Sequence, residues 1–258
     1  MPLGARGGRV RRVEHAEIWD EATARAYDAD NVAMSTPEVL GPTVDRLVEL
    51  AAGGAALELA VGTGRVAVPL ADRGVPVTGI ELSEAMVAQL RTKADAARLP
   101  VVVGDMAHVR VPGRFSLVYL VFNTISNLLD QSEQVACFAN AAAHLRPGGR
   151  FVVELGVPDL QRLPVDRTAT VFTMEEGRVG LDTYDVVAQH LVSHHFRFGA
   201  GTEASLFRSR HRYVWPAELD LMARLAGFEL EERTADWTGA PFTAASGSHV
   251  SVYRLPAS

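Results

Sequence analysis

The residues here whose types and spacing could do chemistry are three acids and a pair of glycines. The run Ala55-Ala56-Leu57-Glu58-Leu59-Ala60-Val61-Gly62-Thr63-Gly64-Arg65-Val66-Ala67 opens apolar, breaks at two glycines and closes amphipathic. That pattern predicts a strand, a tight turn and the start of a helix. Glycine at 62 and 64 lets the chain turn sharply and lets a ligand approach the main chain. The helix that follows would aim its free N–H groups and positive dipole end at that ligand. About twenty residues on, Pro76-Val77-Thr78-Gly79-Ile80-Glu81 reads as a second strand ending in an acid. A carboxylate there is placed to accept both hydroxyl hydrogens of a ribose. If Glu81 faces solvent without ligand, its removal should leave the melting temperature of the empty protein alone.

Gly62, Gly64 and Ala67 satisfy the nicotinamide pattern G-x-G-x-x-G/A, which is weak by itself. Three other features turn the choice. Glu58 lies inside the first strand, Gly104-Asp105-Met106 closes a third, and Arg146-Pro147-Gly148-Gly149-Arg150 separates a long helix from a further strand. Together these resemble the class I S-adenosylmethionine (SAM)-dependent methyltransferases, from roughly Asp45 to Leu155. The resemblance implies that Glu58, Ala60, Gly62, Thr63, Gly64 and Arg65 hold the methionine part of SAM. It implies Glu81 on the ribose, Gly104 and Asp105 at the adenine amine, and Leu82, Met86 and Met106 around the adenine. Phe122 and Asn123, after the fourth strand, complete the set. Tyr27-Asp28 is similar to an N-terminal segment that folds over the pocket in many such enzymes. The implied product is S-adenosylhomocysteine (SAH).

These residues need a scaffold, and the pattern around them supplies one. Strands are expected at Ala56–Val61, Val75–Glu81, Pro100–Val103, Ser116–Phe122 and Phe151–Leu155. Helices are expected at Val13–Asp30, Pro37–Ala52, Val66–Arg73, Glu84–Arg98 and Gln131–Leu145, with Ser83 capping the fourth. Alternation of this kind predicts an α/β fold, a doubly wound Rossmann-like parallel sheet. Ligands of such sheets sit beyond the strands' C-terminal ends, where Glu58, Gly62, Glu81, Asp105 and Asn123 all fall. After Leu155 four strand-like runs follow: Thr168–Met174, Val179–Val187, Gln189–Phe198 and Ser205–Val214. They predict a small antiparallel lid inserted after the fifth strand. Pro216–Ala226 reads as a helix, and Phe228–Arg233 with His249–Tyr253 as a closing pair. The division expected is 1–50 for tail and cap helices, 51–157 plus 216–258 for the cofactor domain, and 158–215 for the lid.

Composition narrows the class. The chain has 258 residues, 48% hydrophobic and 22% charged, with a net charge of -6. One sizeable α/β core with a small addition fits that length. The acidic balance argues against nucleic acid as a partner. Cys137 is the single cysteine, which excludes an internal disulfide and reads as an inert core residue. No apolar run approaches bilayer length, so no membrane association is expected. Met1–Arg12 is basic without an apolar segment behind it and reads as a frayed tail rather than a secretory signal. A cytoplasmic monomer or homodimer is the expectation.

Methyl transfer needs alignment and desolvation more than proton chemistry, so a clear cofactor site with an unclear catalytic site is expected. Asn123 is one candidate for substrate or cofactor contact, with loop-tying as its plain alternative. Within the insertion, alternation puts His190, Val192, His194, Phe196 and Phe198 on one face of their strand. It puts Phe207, Ser209, His211, Tyr213 and Trp215 on one face of the next, with Arg208, Arg210 and Arg212 opposite and in solvent. His194 and His211 are therefore the candidate bases, away from the arginines. No metal is expected. The segments Phe122–Leu128, Ala217–Gly227 and Pro241-Phe242-Thr243 resemble a bacterial group acting on small natural products. That group includes sugar N,N-dimethyltransferases and a peptide α-N-methyltransferase. The expected reaction is SAM-dependent methylation of N or O on a small molecule. Peptide α-N-methylation, a non-catalytic SAM-binding protein and a nicotinamide oxidoreductase are its alternatives.

Overall fold

In the computed structural model, residues 19–160, 163, 166–199 and 204–257 are described. The central sheet has seven strands: β1 (Ala56–Leu59), β2 (Val77–Glu81), β3 (Val101–Val103), β4 (Phe115–Leu120), β5 (Leu145–Gly156), β10 (Glu229–Thr234) and β11 (Ser248–Arg254). Their order across the sheet is β10-β11-β5-β4-β1-β2-β3. Strands β1 to β5 pair in parallel, and β11 runs antiparallel to β5 and β10. The order reverses at β1 and β4, which opens a crevice at their C-terminal ends.

Both faces of the sheet are covered, so its central strands are apolar throughout. β4 (Phe115–Leu120) is buried at every position. One layer gathers Leu57, Val118, Phe138, Phe151, Leu219 and Phe228 under α5 (Gln131–His144) and α6 (Pro216–Leu225). The other gathers Leu47, Leu70, Leu90, Leu117 and Val152 under α2 (Pro37–Ala51), α3 (Ala67–Asp72) and α4 (Glu84–Arg91). Cys137 is fully buried in the first layer, and burial pushes its thiol up. Helix α1 (Glu21–Asp30) begins at an Asp20 cap; the expected helical residues before Trp19 lie outside the described residues, as does the basic tail.

Two boundaries differ from the sequence expectation for local reasons. Helix α4 stops at Arg91 because the Thr92 hydroxyl donates to Gln89 O at 2.7 Å and the Lys93 N–H folds back to Leu90 O at 2.9 Å. β5 starts six residues early, at Leu145 rather than Phe151, because Gly148 N–H and Gly149 O bond the Leu255 backbone at 2.9 Å each. The inserted sheet is separate and antiparallel, in the order β6 (Ala169–Glu175), β7 (Arg178–Asp185), β8 (His190–Phe198), β9 (Ala204–Arg212). Its edge strand β9 lies beside the single turn Thr124–Asn127 that follows β4. No helix among the described residues is long and apolar enough to cross a membrane.

Candidate active site

The turn after β1 is built as its glycines require. Gly62 and Gly64 both have left-handed φ, +55° and +81°. They do different jobs. A Cβ on Gly62 would have no atom within 4 Å, whereas one on Gly64 would press on Val68 and Leu90 at 3.0 and 3.1 Å. A side chain at Gly64 would therefore meet the α3–α4 layer, whereas Gly62 borders open space. Thr63 is buried between them.

Three non-glycine residues with left-handed φ cluster on the same rim: Ala60 at +55°, Phe122 at +56° and Asn123 at +60°. Such conformations persist only where surrounding structure imposes them, and they concentrate at binding sites. The Phe122 N–H is held by Glu154 Oε2 at 2.8 Å, and Trp237 donates to Oε1 of the same carboxylate at 2.9 Å. Asn123 Oδ1 accepts the Gly156 N–H at 2.6 Å, tying the end of β4 to the end of β5. That is the loop-tying alternative foreseen for this residue.

Two carboxylates meet the turn. Glu58 is 3% exposed and faces its register partner Tyr119, whose hydroxyl donates to it at 2.9 Å. Burial pushes the Glu58 carboxyl up to about 8, against the pull of Tyr119 and Arg65. Glu81 is 6% exposed, so the condition for an unchanged melting temperature, a solvent-facing acid, is not met. Its two oxygens accept the N–H groups of Gly62 at 2.9 Å and Ser83 at 2.8 Å. It therefore shapes the turn as well as bordering it. Burial raises its pKa, and these amides hold it back. Ser83 caps α4 through Met86 N–H and donates to Trp19 O at 2.7 Å.

Helix α1 closes the other side. Tyr27 is shielded enough that its hydroxyl pKa rises, with Arg65, Asp28, Glu81 and Glu58 all acting on it. Asp28 accepts the Thr63 hydroxyl at 2.6 Å and pairs with Lys93 at 2.5 Å, and Lys93 also donates to Thr63 O at 3.0 Å. Arg65 donates to Met34 O at 3.0 Å and lies 5.1 Å over the Phe122 ring. Tyr119 and Lys93 had no sequence signal, because strand alternation and helix charge explain them equally well. The third acid, Asp105, is half-buried and accepts the Ala107 N–H at 2.8 Å, as a turn cap does. Gly104 and Leu82 stand beside Asp105 and Glu81 on the rim, while Met86 and Met106 are core residues at 4% and 7% exposure. Asp105, His108 and Glu133 bring ligand-type atoms within 4.8 Å of one another, but His108 and Glu133 already pair on the surface at 2.7 Å.

The insertion overturns the expected grouping of its histidines. Register puts His194 opposite Arg208, and Arg208 Nε donates to His194 Nδ1 at 3.2 Å. His211 pairs with Leu191, on the other face, and its Nε2 meets Ser209 Oγ at 2.9 Å. His194 and His211 therefore do not converge, and His194 shares the arginine face. Nor is that face all solvent. Arg212 is 5% exposed and bonds Gln134 at 2.5 Å, Gln189 at 2.9 Å and Glu218 at 2.7 Å, fixing β9 to α5 and α6.

A buried acid under a glycine turn, a second acid bonded to that turn and a covering helix define a nucleotide-type cofactor site at a sheet switch point. Residues 56–149 match the model of the methyltransferase domain family. The CcbJ methyltransferase from Streptomyces caelestis is 43% identical, with a TM-score of 0.76 over 84% of this chain and 89% of that one. The chain belongs to the class I SAM-dependent methyltransferases, of the bacterial natural-product type. It is an enzyme whose methyl donor is SAM, and the nicotinamide reading falls away. The cypemycin N-terminal methyltransferase of Streptomyces sp is 28% identical over 89% of this chain and 94% of its own length. An aminosugar enzyme of Streptomyces venezuelae, dTDP-3-amino-3,4,6-trideoxy-alpha-D-glucopyranose N,N-dimethyltransferase, is 32% identical over 55% of this chain and 57% of its own.

Proposed function

We propose that this enzyme methylates an amine nitrogen on a small bacterial natural product or its sugar. The SAM half of the reading is carried by the Glu58–Gly62–Glu81 arrangement, open at the Gly62 side, with Tyr27 nearby; the nitrogen half is supported by the similarity to the cypemycin and aminosugar N-methyltransferases. The arrangement fits SAM: a buried carboxylate for the α-ammonium, a glycine with no Cβ neighbour for close approach, and an acid at the ribose position. When bound, SAM supplies an already activated methyl on a sulfonium.

The protein's own work is then to hold, orient and exclude water. Glu58 faces the ammonium, Glu81 the ribose and Asp105 the adenine edge. Tyr27 and Phe122 wall the reacting side, and Asp28 with Lys93 clamps α1 over the turn. The inserted sheet, β6 to β9 within residues 158–215, covers the acceptor. Peptide α-N-methylation is the second reading, favoured by the similarity to the cypemycin enzyme along 89% of the chain. Both are tested by incubating the enzyme and SAM with aminosugar nucleotides, amine-bearing natural products and peptides with free N-termini. Mass spectrometry should find one or two added methyls on the amines. Methylation confined to hydroxyls would overturn the nitrogen assignment, and methylation confined to peptides would favour the second reading.

A further inference from the structure

One face of the inserted sheet has no role in the account above. Register pairs Asp182 with Ser193 and Ser209, and Tyr184 with Leu191 and His211. Directly opposite residues of antiparallel strands share a face. One tie turns this face to the cofactor rim: Arg197, on the same face, pairs with Asp30 of α1 at 2.9 Å.

The chemistry of the face is specific. Asp182 sits mid-face and half-buried, accepting a hydrogen bond from Ser193 Oγ at 2.7 Å. The same face carries aromatic groups in contact with one another: His195 lies 5.3 Å from Phe172 and 5.8 Å from Phe207, and Tyr184 lies 6.2 Å from Tyr213. The arginines of this face stand at the tip: Arg197 pairs with Asp30, and Arg178 is in register with Glu175 at the β6–β7 turn. Mid-face, the charge belongs to the Asp182 carboxylate, held by a neutral hydroxyl on a face that also carries rings. Its complement is a cation, attracted by the carboxylate and by ring faces together.

We propose that this face reads the acceptor, with Asp182 pairing with an ammonium group of the small molecule. The proposal rests on the amine reading above. Burial already lifts the Asp182 pKa, and an adjacent cation would draw it back down. Asp182 is a positioning and specificity residue in this account, and no proton transfer is assigned to it.

The test uses cyclohexylamine as probe and cyclohexanol as its neutral counterpart, each titrated into the full chain saturated with SAH and followed by saturation-transfer NMR. The expected result is at least about tenfold tighter binding of the amine, the value of about 1.4 kcal/mol of charge recognition. Asp182→Asn should erase that preference and leave SAH affinity unchanged. Asp185→Asn, on the opposite face, should keep it. Asp182→Ser gives the same comparison if the amide variant does not fold. Equal binding of amine and alcohol overturns the proposal, and so does a preference that survives loss of the carboxylate. Loss of SAH affinity in both Asp182 variants also overturns it, since Asp182 would then support the cofactor site. Failure of the wild-type chain to bind SAH would strike the cofactor assignment beneath it instead.

Discussion

Glu58 is the residue whose ionisation is most exposed to test. Its folded pKa, about 8, lies above the ordinary carboxylate value. Between those values the folded chain keeps a proton that the unfolded chain has released. Stability of the SAM-free enzyme should therefore fall as pH rises through that window. Glu58→Gln should flatten the slope, as thermal melts across pH will show. An ammonium placed on Glu58 favours its carboxylate form, so SAM should bind more tightly at about pH 8.5 than at about pH 6 and release a proton. Calorimetry in two buffers of different ionisation heat reads that proton directly. Glu81→Ala should behave unlike a surface change. It frees the amides of Gly62 and Ser83, so the SAM-free protein should lose about 1–3 kcal/mol as well as cofactor affinity. The two glycines separate similarly. Both positions have left-handed φ, so Gly62→Val and Gly64→Val should each lower Tm. Gly64→Val should lower it further, because its side chain also meets Val68 and Leu90, whereas Gly62→Val, with open space around its Cβ, should lose SAH binding with the smaller loss of Tm.

At the level of elements, the chain's pattern predicted every strand of the central sheet, and the structure has each at nearly that place. Apolar runs bounded by glycine and proline carry that information locally. The insertion was legible as four strands but not as two faces. Alternation assigns residues to sides within one strand, and the register between strands decides which sides coincide. The β8–β9 register sets His194 against Arg208, so each strand was read correctly alone and the pair was not. Part of their connection, residues 200–203, lies outside the described residues. Arg212 was misread for a related reason: only α5 and α6, distant in sequence, show that it is buried. Arg212→Met should cost about 1–3 kcal/mol, because Gln134, Gln189 and Glu218 lose its hydrogen bonds while Glu218 keeps those from Gln131 and Gln189, and urea unfolding should show it. Around the cofactor the glycines and acids were legible, while Tyr119, Lys93 and Glu154 were not, being ordinary residues placed by tertiary contacts.

The molecule as a whole puts its small sheet and its N-terminal helix on the same rim. SAH present at about a hundred times its Kd should raise stability by about 2.7 kcal/mol, read as a rise in Tm. In the proposed arrangement the cofactor lies against the turn, beneath α1 and the Asp28–Thr63–Lys93 contacts, and the acceptor approaches from the side of the inserted sheet. A visitor seated last sits outermost, so SAM should enter before the acceptor and SAH should depart after the methylated product. Steady-state kinetics should then show SAH competing with SAM alone, while the methylated product inhibits non-competitively against SAM. Asp28→Asn, which weakens the clamp, should hasten SAH departure, visible as a faster chase of labelled SAH from the enzyme.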